Sequence, residues 1–207
     1  MGNQMNNNVI IVAHHSRIEW VYKLQQHIGV ACAIVDYSNR GALAGHIEAL
    51  RLASTMVGRT IIMEDDAIPV CGFHELAEAW FERFPYALIS FYLGTGRPPQ
   101  WQPRVDRALR TAVDNGMDSI ALTQLVHGVC YSVPKVSIPA MLKRLKRTAE
   151  EAADYAIGDA WGSKVLYPVK SLVEHRDDGT VERHPDGEAR TERRVARELA
   201  APLMYGR

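Results

Sequence analysis

The chain has 207 residues, enough for one domain of ordinary size with a core that needs no disulfide or structural metal. It is 47% hydrophobic and 23% charged, the balance of a soluble globular protein. Its 24 basic and 24 acidic side chains cancel, which excludes binding to nucleic acid or membrane through net charge alone.

No apolar run approaches the roughly 18 residues of a membrane span. The polar opening, residues 1–8, lacks an apolar signal core and reads as a disordered start with nothing directing secretion. Cys32, Cys71 and Cys130 are odd in number and widely spaced, without zinc spacing. They read as buried free thiols of a reducing compartment.

In chain order, Val9–Ala13 is a short apolar run, a strand buried on both faces. Ser16 offers an N-cap to a helix carrying Ile18, Val21 and Leu24. Ala31–Val35 is a second strand closed by Asp36, and a Gly-containing loop leads to a helix through Ile47 and Leu50. Thr60–Met63 is a third buried strand, ending abruptly in Glu64, Asp65 and Asp66. Phe73 to Phe84 is an amphipathic helix and Ala87–Leu93 a strand. Strand and helix alternating in this way predict an α/β domain on a mostly parallel central sheet flanked by helices.

Further on, Pro103 opens a helix that Gly116 closes. Strands are predicted at Ser119–Leu125 and Val129–Val133, helices at Pro139–Leu145 and Asp154–Val165, and a last strand at Tyr167–Val173. Residues 178–207 read as a charged tail or lid, with a short helix near Glu192–Leu199.

Three consecutive carboxylates at the end of a buried strand repel one another unless a cation neutralises them. Ligands of open α/β sheets bind beyond the carboxyl ends of the strands, where hard cations such as Mg²⁺ or Mn²⁺ take carboxylate and phosphate oxygens. His175, at the end of another apolar segment, is a further candidate ligand. Asp159, between glycines and a tryptophan, reads as a partly buried carboxylate able to serve as general base. His14, Ser16 and Arg17 stand in a strand-to-helix loop, where helix amides and a guanidinium favour phosphate. Asp36 is placed to accept from a ribose or base hydroxyl.

The order of these segments resembles GT-A glycosyltransferases, a Rossmann-like fold. More narrowly it resembles the lipopolysaccharide-type glycosyltransferases of family twenty-five and their small phage-encoded relatives. Arg40-Gly41-Ala42-Leu43-Ala44-Gly45-His46 resembles that family's Gly-rich helix entry ending in a histidine. Ile61 to Ala67 resembles its strand and acidic DXD-type motif, and His127 to Val133, with Gly128, the segment lining the donor-sugar and acceptor site. Pro168 to Asp177 looks like the closing strand whose histidine completes the metal site, and Tyr92 to Pro98 like a loop of the phage relatives.

The resemblance covers about Val9 to Asp177 and implies a single GT-A domain there. It implies a nucleotide-sugar donor, above all a UDP-sugar, held through its diphosphate by Mn²⁺ or Mg²⁺. Asp66 and His175 would be direct ligands, Glu64 or Asp65 would meet ribose or a metal-bound water, and Asp159 would deprotonate an acceptor hydroxyl. A phage source implies the cytoplasm of a bacterial host. The acceptor stays open between a hydroxymethylated pyrimidine in DNA, a virion protein and a glycan. For DNA, Lys143 to Arg147 and Arg190 to Arg197 would supply basic surface and Trp101 a stacking element. Two rival classes use the same acids: a metal-dependent phosphohydrolase or nuclease, and a nucleotide-binding GT-A module without turnover.

Overall fold

A computed structural model describes residues 8–29, 31–150, 152–176 and 192–206. Among the described residues, nine strands and six α-helices follow one another. They are β1 (Asn8–His14), α1 (Ile18–Ile28), β2 (Ala31–Asp36), α2 (Ala42–Thr55), β3 (Thr60–Glu64), β4 (Ala67–Pro69), α3 (Phe73–Arg83) and β5 (Leu88–Ser90). After them come α4 (Gln102–Asp114), β6 (Ser119–Leu122), β7 (Cys130–Val133), α5 (Ile138–Leu145), α6 (Ala153–Trp161), β8 (Val165–Pro168) and β9 (Val173–His175).

Seven strands form one sheet in the order β2-β1-β3-β7-β5-β8-β6, and β4 and β9 form a separate pair. β1 is parallel to β2 and β3, and β5 to β8. β7 runs against both β3 and β5, and β6 runs against β8. The parallel character is therefore partial: three of the six pairings are antiparallel. The expected α/β sheet with flanking helices is present in a single domain, but it is mixed. After β5 the chain passes through α4 to β6, then directly to β7, and through α5 and α6 to β8.

The apolar strands alternate their side chains between two faces, as strand geometry requires. Ile10, Val12 and Ile62 join a core with residues of α2, α4, α5 and α6. Val9, Ile11, Ile61 and Met63 join a second core with residues of α1 and α3. Both faces of β1 and β3 are thus dry, which is why their sequences are continuous apolar runs.

Several expectations change. Asn8 belongs to β1 rather than to a loose start. Ser16 does not cap α1: a 3-10 turn, His15–Arg17, precedes it, and the side chain of Arg17, at its N-cap position, makes no capping bond. The predicted helix over 154–165 ends at Trp161, and Val165 already starts β8. The predicted strand over 167–173 divides between β8 in the large sheet and β9 in the small one. Cys130 is buried, but Cys32 and Cys71 are exposed free thiols, Cys32 because β2 is an edge strand.

Residues 192–206 form neither a helix nor a solvated tail. Val195 O accepts from Thr95 N, Glu198 O from Ser171 N and Pro202 O from Cys71 N. Leu199, Leu203 and Met204 pack on the second core. The acid- and Arg-rich composition concealed apolar residues spaced to lie on that surface. The other residues of the predicted tail, 178–191 and 207, lie outside the described residues.

Candidate functional site

The triplet at the end of β3 is pulled three ways. Glu64 N donates to Val129 O, 2.8 Å away, on the β7 side. Asp65 N donates to Val12 O of β1 at 3.0 Å, and Asp66 O accepts from Arg176 N, just past β9, at 2.7 Å. The backbones of three consecutive residues are therefore anchored to three different segments.

Asp65 and Asp66 converge on Arg17. Arg17 Nη1 donates to Asp65 Oδ1 at 3.1 Å and to Asp66 Oδ2 at 2.8 Å, with all three side chains about nine-tenths buried or more. Asp65 Oδ2 also accepts from His14 N at 2.9 Å. His175 Nε2 lies 3.4 Å from the same Asp66 Oδ2. It arrives there because β4 and β9 pair antiparallel with Ala67 opposite His175. Asp66 Oδ1 and His175 Nδ1 are buried and have no hydrogen-bond partner among the described residues. Arg17 and Arg176 both lie over the Trp20 ring, at 4.7 and 4.8 Å from its centroid.

The two acids respond differently to the same arginine. Burial, with the neighbouring Asp66 charge, pushes Asp65 up to about 7 despite Arg17 and the His14 amide. Burial also works to raise Asp66, but His175 and Arg17 together overcome it and hold Asp66 at about 2. His175 is correspondingly raised: burial opposes its charge and Asp66 more than offsets that. The result is a buried Arg–Asp–His cluster in which Asp66 carries the negative charge.

Glu64 belongs to a different group. Its Oε1 lies 3.2 Å from His46 Nε2, and its side chain is 27% exposed. Gly128 lies against it: a Cβ built there would stand 2.9 Å from Glu64 Oε1. His127, half-buried, has Nε2 at 2.8 Å from Arg97 O, and burial lowers it to about 4. Its ring and that of His175 flank Tyr92, with centroids 5.0 and 6.0 Å from it.

The remaining candidates are spread along the β1 and β2 ends. Asp36 accepts from Ser38 N and Gly41 N, both at 3.0 Å, so it shapes its own loop. Those backbone amides and Arg40 lower its pKa although burial opposes them. Arg40 is bonded to Glu48 at 2.6 Å. His14 joins Ser16 Oγ through Nδ1 at 2.7 Å and Asn39 Oδ1 through Nε2 at 2.8 Å. His14, Ser16, Asp36 and Arg40 thus form a hydrogen-bonded rim beside the acid pair rather than a converging set.

Asp159 does not fit the partly buried base expected of it. It is exposed, and its Oδ1 accepts from Gln124 Nε2 at 2.9 Å. The acid of α6 that burial alters is Asp154, one turn earlier. Burial raises it to about 7, with further upward pushes from Glu64 and Glu150. Asp154 did not stand out in the sequence, and His46 did so only as the histidine that ends the Gly-rich segment of the resemblance, with no role attached to it. An Asp in the first turn of a helix is ordinary, and a histidine inside an apolar helix reads as core.

The basic segments are partly engaged inward. Arg144 Nη1 donates to Ala160 O at 2.6 Å and Trp161 O at 3.1 Å, closing the end of α6. Arg197 pairs with Asp106 and Gln102 of α4. Trp101 is half-buried against the first core with Arg104 over its ring. Residues 190 and 191 lie outside the described residues. No described helix is long and apolar enough to cross a membrane.

No family model matches the chain, and no curated protein matches it. Among solved structures it is similar to the crystal structure of A197 from STIV, at 12% identity. That likeness has a TM-score of 0.49 and covers 94% of this chain and 96% of the other, a level that bears on neither chemistry nor partners.

Proposed function

We propose that the chain is a metal-dependent glycosyltransferase of the GT-A type, moving a sugar from a UDP-sugar to an acceptor hydroxyl. The observation that carries this is the buried meeting of Asp66 and His175, from segments far apart in sequence, each with one polar atom unpartnered among the described residues. Orphaned buried polar atoms are costly, and a ligand that satisfies them accounts for their retention.

The residues present fit a hard divalent cation such as Mn²⁺ or Mg²⁺. Asp66 offers a carboxylate oxygen and His175 an imidazole nitrogen. Among the described residues no group of three or more His, Cys, Asp or Glu is placed to hold a metal. Two protein ligands, with water and diphosphate oxygens, make a set that such ions accept. When bound, the cation would offset charge on the leaving diphosphate. Arg17, in the turn that leads into α1, adds a guanidinium and helix amides for the same diphosphate. Glu64, the one member of the triplet with a partly exposed carboxylate, accepts from a hydroxyl of the ribose or sugar. The acceptor remains a hydroxymethylated pyrimidine of DNA, a virion protein or a glycan, in the cytoplasm of a phage host.

A second reading is favoured by Arg17, whose Nη1 bonds both acids. There the guanidinium takes the place of a metal ion, and the chain holds a nucleotide without turnover.

Thermal unfolding with UDP and a panel of nucleotide sugars, with and without Mn²⁺, separates the two. The transferase reading expects stabilisation by one UDP-sugar that requires Mn²⁺, about 2.7 kcal/mol at a hundredfold excess over Kd. Stabilisation indifferent to Mn²⁺ favours the second reading, and none with any nucleotide rejects both. Label transfer from the active UDP-sugar to hydroxymethylated DNA, plain DNA, protein or glycan then identifies the acceptor.

A further inference from the structure

We infer that His46 is a positioning residue which, with Tyr131 and Gly128, aims the Glu64 carboxylate at a hydroxyl of the transferred sugar. This rests on the glycosyltransferase reading and adds to it a second polar subsite, separate from the Asp66–His175 pair.

The device begins with Gly45. A Cβ there would lie 2.7 Å from Val12 Cγ1, so only glycine lets α2 come this close to β1. The next residue, His46, is thereby driven into the core, where it is fully buried. Its Nδ1 stands 3.1 Å from the Tyr131 hydroxyl and its Nε2 3.2 Å from Glu64 Oε1. The rings of His46 and Tyr131 stack with centroids 5.6 Å apart. A carboxylate accepts, so Nε2 carries the hydrogen toward Glu64 and Nδ1 takes the one from Tyr131.

Glu64 Oε1 is fixed by this chain of bonds, and Oε2, on a partly exposed side chain, is left to meet a ligand. Gly128 supplies the space. A Cβ at that position would press on Glu64 Oε1 at 2.9 Å while standing 3.6 Å from His46 Nε2. Gly128 and a buried histidine, itself bonded to a buried tyrosine, meet this one carboxylate, and Arg17, Asp65 and Asp66 are not among its partners.

The order along the sheet edge says what meets it. Asp36 ends β2, Asp65 is tied to β1, and Glu64 is tied to the β7 side. A nucleotide sugar with its nucleoside over β2 and β1 and its diphosphate at Arg17 and Asp66 extends its sugar toward β7. Glu64 ends β3 and Asp66 lies in the turn after it, so the two carboxylates are close along the chain but separately anchored.

The test compares binding of UDP with that of UDP-glucose, UDP-galactose and UDP-N-acetylglucosamine by calorimetry in Mn²⁺. The variants are His46→Phe, His46→Gln, Tyr131→Phe and Gly128→Ala. Gly128→Ala keeps the fold, because the atom it displaces is the end of a flexible side chain. UDP affinity is expected to stay within about twofold, while the advantage of the preferred UDP-sugar over UDP falls about tenfold in His46→Phe and Gly128→Ala, or about 1.4 kcal/mol. Tyr131→Phe gives a smaller loss, and His46→Gln, which keeps an N–H for Glu64, restores most of the advantage. An unchanged UDP-sugar advantage in His46→Phe and Gly128→Ala overturns the inference and leaves the transferase reading standing. Equal loss for UDP and UDP-sugar shows general damage and also overturns it. A wild-type protein that binds neither ends both.

Discussion

His175 Nε2 stands 3.4 Å from Asp66 Oδ2, and a two-stranded sheet of three residues a side puts it there. The pairing of Ala67 with His175 fixes the register, so a slip of one residue would turn the imidazole to the other face. The site is thus held by a few backbone bonds outside the main sheet.

Replacing Asp66 by Asn, or His175 by Ala, is expected to abolish the Mn²⁺-dependent thermal shift. Transfer activity should fall by about two to three orders of magnitude, the effect of removing a group that stabilises developing charge. A Mn²⁺ titration followed by unfolding temperature checks it. A shift that persists in Asp66→Asn places the cation elsewhere.

Arg17→Gln leaves Asp65 and Asp66 buried beside each other without their guanidinium. Breaking a buried pair of this kind costs about 3–5 kcal/mol. Urea unfolding of the metal-free protein should show the loss, and added Mn²⁺ should recover part of it. Asp65→Asn in the Arg17→Gln background should also recover stability, because it removes the carboxylate that burial and Asp66 already push up to about 7. If Arg17→Gln is as stable as the wild type without cation, Arg17 does not neutralise the pair.

Asp154 gives a pH dependence of defined sign. Its folded pKa of about 7, against an ordinary 3.8, means the folded chain keeps a proton that the unfolded chain releases. Its contribution is fully present below about pH 4 and is lost as the pH rises to 7, by up to about 1.4 kcal/mol per unit. Asp65 carries the same sign over the same window. Asp66 carries the opposite one, its stabilisation being lost as the pH falls toward 2. Unfolding measured from pH 4 to 7 should therefore be flatter in Asp154→Asn than in the wild type. An unchanged slope would mean that Asp154 ionises normally.

Much of the frame was legible in the residues. Val9–Ala13 and Thr60–Met63 are apolar at every position because both their faces are covered, and such runs announce buried strands. The amphipathic spacing of Phe73, Ala77, Trp80 and Phe81 likewise matches the buried face of α3. The small sheet was not legible. Ala67–Pro69 and Val173–His175 are too short to show a period, and their pairing is a long-range event. The packing of residues 192–206 was hidden for a related reason: its charged residues dominate the composition, while the leucines that anchor it are spaced irregularly.

For the site, the sequence by itself determined that three acids end a buried strand, because an apolar run followed by carboxylates has nowhere else to put them. Only the tertiary structure decided what each acid does. Glu64 turns to His46 and Gly128, while Asp65 and Asp66 turn to Arg17, and Asp66 also meets His175. Glu64 is the last residue of β3 while Asp65 and Asp66 lie in the turn after it, and their partners come from α2, the turn before α1, and β9. Charge, burial and pKa follow from those partners, which meet only when the chain folds.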